Sequence, residues 1–92
     1  MKDMLGIIKA LANQLRLQIL MALNTYGQLS YVELGKLTFK DVHFTLKHAG
    51  TFNYHLKVLL RAGLIAREGR GSYVITERGR RALKLLPKLL KS

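Results

Sequence analysis

The polar side chains best placed to do chemistry lie between Thr51 and Thr76, in the stretch TFNYHLKVLLRAGLIAREGRGSYVIT. Phe52, Leu56, Leu59 and Leu60 recur at the spacing of one buried helical face, which leaves Thr51, Asn53, Tyr54 and Lys57 for the outer face. An asparagine amide can pair in bidentate fashion with adenine, and a threonine or tyrosine can touch a phosphate or a thymine methyl. A plainer role for Thr51 and Asn53 is to cap the helix. Gly63 ends this helix, and Leu64-Ile65-Ala66 and Ser72 to Ile75 read as two strands around the glycine-rich turn Arg67-Glu68-Gly69-Arg70-Gly71. A helix at 51–62 has the diameter to enter a DNA major groove. A ribbon at 64–76 can carry Arg67 and Arg70 to the neighbouring backbone or minor groove. The alternative for the two arginines is a solvated hairpin. Glu68 between them weakens the signal unless it points to the other face of the ribbon.

Bulk charge favours the same chemistry. The chain of 92 residues has 16 Lys+Arg against 5 Asp+Glu, a formal charge of +11, which calls for a polyanionic partner. Lys47 and His48, just before the helix, and Arg16 and Lys36 further back, are candidates for contact with a phosphate backbone. There is no cysteine, so disulfides and thiolate metal sites are excluded. The spacing of His43, His48 and His55 puts them on no common helical face, and no cofactor or metal is expected. Acids are few and dispersed, and Gly69-Arg70-Gly71 is explained by a turn, so the chain is not expected to be an enzyme. The apolar N-terminal stretch is interrupted by Lys9, Asn13, Gln14, Arg16 and Gln18. It falls short of the roughly 18 apolar residues of a membrane span, so no membrane partner is expected and a cytoplasmic location fits.

Several elements must hold this unit. Met4, Ile7, Ile8 and Leu11 mark a first helix. Asn13 is placed to cap a second, from Gln14 to about Tyr26, which Gly27 ends. Ser30 with Glu33 three residues on is a capping-box pattern for a short third helix from Tyr31 to about Thr38. Over 39–50, Val42, Phe44 and Leu46 alternate with polar residues as in a strand. A distorted helical turn fits equally, and the segment is assigned as irregular. Thr76 is placed to cap a last helix carrying Ala82, Leu83, Leu86 and Leu90, with Pro87 expected to kink or split it. The fold class is mainly α with a small β-hairpin wing, in the order α-α-(short β)-α-α-β-β-α, as one domain over 1–92.

In this order the segments resemble winged helix-turn-helix regulators of the ArsR-like kind, including their archaeal relatives. Leu11-Ala12-Asn13-Gln14-Leu15-Arg16-Leu17-Gln18-Ile19-Leu20 is similar to the family's opening, and Asn53 to Leu59 to its recognition helix. Ala62-Gly63-Leu64-Ile65 resembles the turn into the wing, and Tyr73 to Gly79 the exit. The resemblance covers residues 5 to about 82. It implies sequence-specific binding of double-stranded DNA by a dimeric transcription regulator, nucleoid-associated when bound. Pairing would run through the flanking helices 1–12 and 77–91, by way of Met4, Ile7, Ile8, Leu11, Leu83, Leu86, Leu89 and Leu90. Two departures stand out: Lys40 to Lys47 lengthens the usual short turn, and the cysteine pairs of metal-sensing members are absent. A protein–protein winged-helix module and a general nucleic-acid or chromatin binder are the alternative functions.

Overall fold

A computed structural model describes residues 2–41, 44 and 46–91, with side chains over 5–41, 44 and 48–86. The elements follow as α1 (Lys2–Leu11), α2 (Gln14–Tyr26), β1 (Leu29–Ser30), α3 (Tyr31–Phe39), α4 (Leu46–Arg61), β2 (Ile65–Glu68), β3 (Ser72–Ile75) and α5 (Glu77–Lys91). This is the winged helix-turn-helix order expected from the sequence.

Local chemistry sets most of the boundaries. The Asn13 side chain accepts the backbone N–H groups of Leu15 and Arg16 at 2.9 and 3.2 Å and so caps α2. Ser30 and Glu33 close both halves of a capping box at α3. The end of α4 is a Schellman motif: Leu64 N–H reaches Leu59 C=O and Gly63 N–H reaches Leu60 C=O, each at 3.0 Å. Gly63 sits at φ 74°, where a side chain would be strained. Thr76 caps α5 by accepting Gly79 N–H at 3.0 Å, and it donates to Gly63 C=O at 2.7 Å. The two ends of the wing are thereby tied together.

The strands form one antiparallel sheet in the order β1-β3-β2. The short β1 pairs Leu29 with Tyr73 and Ser30 with Ser72, while β2 and β3 pair Ile65 with Ile75 and Arg67 with Tyr73. Their inner face meets Ile19, Leu20, Leu23, Leu34, Phe52, Leu56, Leu59 and Leu64 in a single core.

Three expectations need correction. The segment read as irregular is half helical, since α4 begins at Leu46. The strand-like alternation misled because Phe44 is a packing anchor between two helices. Its ring sits against Phe39, Phe52 and Tyr31 and lies so close to Gly35 that a Cβ there would stand 2.7 Å from it. Thr51 and Asn53 are consequently inside α4 and cap nothing. At the other end, α5 is one element through position 87, so no split occurs at Pro87.

Candidate nucleic-acid interface

Because α4 starts early, its outer face is a full stripe. Phe52, His55, Leu56 and Leu59 are buried. Gly50, Asn53, Tyr54, Lys57 and Arg61 lie opposite them at helical spacing, and all are exposed. Arg61 was not singled out from the sequence. Its place four residues after Lys57 was a usable signal, obscured by its nearness to the helix end.

The wing completes a cleft of about 370 Å³ against this stripe, lined by Asn53, Leu56, Lys57, Leu60, Arg61, Arg67 and Tyr73. Three of these are cations and none is an acid. Arg67 enters the cleft because it belongs to β2 and not to the turn in which the sequence placed it. It sits opposite Tyr73, on the ribbon face that also carries the buried Ile65. Glu68, the next residue, takes the other face. Arg70 is at the tip, exposed, between Gly69 at φ 63° and Gly71 at φ 82°. Cleft and tip are thus two separate basic positions.

Asn53 is held by a neighbour: the Tyr31 hydroxyl donates to its Oδ1 at 2.7 Å. Thr51 is exposed on the flank of α4. Tyr54, 61% exposed, faces a second cleft toward α1, beside Lys9, Arg16 and Arg61. Lys36 is exposed on α3. The side chain of Lys47 lies outside the described residues, as does His43.

Two candidates for backbone contact have other partners. Arg16 closes the end of α1. Its Nε donates to Ala10 C=O at 2.6 Å and one terminal nitrogen to Lys9 C=O at 3.1 Å. The other terminal nitrogen is 3.2 Å from His55 Nδ1, which must accept, since a guanidinium only donates. Burial holds the His55 imidazole below its ordinary pKa, and the Arg16 charge acts in the same direction. His48 is turned inward, stacked on Phe39 at 4.5 Å between ring centroids and 3.2 Å from Asp41 Oδ2. Both residues brace α4 from behind, while Asn53, Lys57, Arg61 and Arg67 converge in front of it.

The flanking helices also differ in detail from the expected apolar stripes. Leu11 is buried in the domain's own core and Ile7, Leu83 and Leu86 are partly packed against it. The exposed apolar residues are Leu5, Ile8 and Leu85. The side chains of Met4, Leu89 and Leu90 lie outside the described residues. Among the described residues no helix is long and apolar enough to cross a membrane, and no three His, Asp or Glu side chains are grouped as a metal ion would need.

Five helices, a short third strand and a two-stranded wing after the exposed helix define a winged helix-turn-helix. The crystal structure of an ArsR family transcriptional regulator has this fold, with a TM-score of 0.67 and 24% identity over 98% of this chain and 88% of that one. The chain belongs to the family described as Domain of unknown function (DUF7347), whose model matches residues 6–86. No curated protein matches it in sequence.

Proposed function

We propose that this protein binds double-stranded DNA in a sequence-specific manner and acts as a dimeric transcription regulator. In this reading α4 enters the major groove, with Asn53 and Tyr54 toward base edges and Thr51 and Lys57 toward base or phosphate. Arg67 and Arg70 of the wing meet the flanking backbone or minor groove. The carrying observation is the cleft between α4 and the wing, where Lys57, Arg61 and Arg67 surround Asn53 with no acid among them. Cations there neutralise phosphate and so supply affinity, and a base-reading amide among them supplies discrimination. A protein–protein groove has no need of this charge.

Leu5, Ile8 and Leu85, exposed on the terminal helices, support pairing of two copies through those helices. A twofold pair would present two α4 helices to half-sites about one DNA turn, roughly 34 Å, apart. The cheapest test is selection of bound duplexes from a random pool. A palindromic consensus is the expected result. Enrichment of no sequence, with binding that only salt weakens, would identify a general nucleic-acid binder, and absence of binding at low salt would refute the reading.

A further inference from the structure

Tyr31 has no place in the reading above, yet it touches three parts of the interface. It is the first residue of α3, next to the Ser30–Glu33 capping box. Its ring packs on Phe44 and Phe52 at centroid distances of 5.8 and 5.0 Å. Its backbone N–H donates to Gly71 C=O, in the turn that carries Arg70, at 2.9 Å. Its hydroxyl donates to Asn53 Oδ1 at 2.7 Å.

An asparagine on an exposed helix face is an ambiguous reader. Its amide is nearly symmetric in shape, and a half-turn exchanges a donor pair for an acceptor. With NH2 forward it suits purine N7, and with oxygen forward it suits the cytosine N4 amino group. A hydroxyl that donates to the carbonyl oxygen, as that of Tyr31 does here at 2.7 Å, favours the first choice. We propose that Tyr31 is the positioning residue for base readout: its hydroxyl holds the Asn53 carbonyl oxygen against the protein and leaves the amide NH2 for a purine N7. The proposal rests on the reading of α4 as the recognition helix.

The geometry supplies what this needs. Oδ1 retains a second lone pair, so an adenine N6–H can still be accepted while Nδ2 donates to N7. Burial, with Tyr73 nearby, raises the phenol pKa above its ordinary value, so the hydroxyl remains a donor throughout the working pH range. The ring is clamped between aromatic neighbours, and this pre-ordering lowers the cost of fixing Asn53 on binding. The same residue sets the position of the wing turn through its backbone, so base reader and wing tip are referenced to one point.

Tyr31→Phe removes the hydroxyl and keeps the ring and the backbone bond. In the free protein, the Asn53 side-chain NH2 resonances should lose their distinct shifts and gain motion, while the backbone spectrum keeps its dispersion. In selections from a random pool, the operator position that Asn53→Ala abolishes should be relaxed by Tyr31→Phe, with discrimination there falling roughly 3- to 10-fold. The double variant should lose no more than Asn53→Ala alone, because Tyr31 acts through Asn53. Unchanged Asn53 amide resonances in Tyr31→Phe would overturn the positioning. Changed resonances with unchanged base preference, or additive losses in the double variant, would overturn the role in readout. If the wild type discriminates among no duplexes, the DNA reading fails and with it the readout role. The amide resonances of the free protein then still decide the positioning. Should Tyr31→Phe unfold, Asn53→Asp is the second variant: it keeps the acceptor facing Tyr31, removes the donor, and is expected to exchange purine for cytosine at that position.

Discussion

The charge of the cleft makes a quantitative demand on salt dependence. Lys57, Arg61 and Arg67 line one space of about 370 Å³ with no carboxylate among them, so each is available to neutralise a phosphate. Every phosphate neutralised on B-DNA contributes about 0.9 to the slope of log K against log salt. Replacing all three residues by Ala should therefore flatten the slope by about 2.7. Between about 50 and 200 mM salt, the ratio of wild-type to variant affinity should shrink about 40-fold. Fluorescence anisotropy with one labelled duplex across that range measures both lines. Circular dichroism checks the fold, which should hold because all three side chains are exposed. Arg70→Ala, at the tip and outside the cleft, should take away no more than one further step of about 0.9. A triple variant weakened equally at every salt concentration would refute the argument, since the cleft would then act through shape and not through phosphate.

Other outcomes follow from the packing. Gly79→Ala should destabilise the domain by about 1–3 kcal/mol in urea unfolding, because a Cβ there would overlap the Leu64 carbonyl oxygen and stand 2.6 Å from Ile75 Cγ1. Gly50→Ala in α4 meets nothing within 4 Å and should stabilise by up to about 1 kcal/mol, so equal signs for the two variants would contradict the packing. His55 has a folded-state pKa below its ordinary value of about 6.5, so the unfolded chain takes up its proton first. Its contribution is present above about pH 6.5 and is lost as pH falls through the folded pKa, at no more than about 1.4 kcal/mol per pH unit. An NMR titration midpoint for His55 above the ordinary value would reverse that sign. Ile8→Lys with Leu85→Lys should yield monomers at micromolar concentration in sedimentation equilibrium, since both side chains are exposed on the terminal helices. A variant as dimeric as the wild type would remove those helices from the interface.

Much of this molecule was readable in one dimension wherever the signal is local. Asn13, Ser30 with Glu33, Gly27, Gly63 and Thr76 mark helix ends because caps act over two to four residues, and each stands where it was expected. The wing was readable for the same reason: a glycine stop, two short apolar runs and a glycine-rich turn are all near-neighbour patterns.

What tertiary structure decided was every case in which a residue answers to a distant partner. The alternation around Phe44 looks like a strand until its ring is seen to fill the space above Gly35, and that packing starts α4 at Leu46 and brings Gly50 into line with Asn53, Lys57 and Arg61. Arg16 and His48 are ordinary basic candidates in the sequence. Folding gives the first to the carbonyls of α1 and to His55, 39 residues away, and turns the second into the aromatic cluster. The tie between Tyr31 and Asn53 spans 22 residues and has no periodic signature. Composition and spacing determined that this chain is a basic winged helix. Which cations face outward, and which side chain orients Asn53, was settled by contacts between elements that no local pattern encodes.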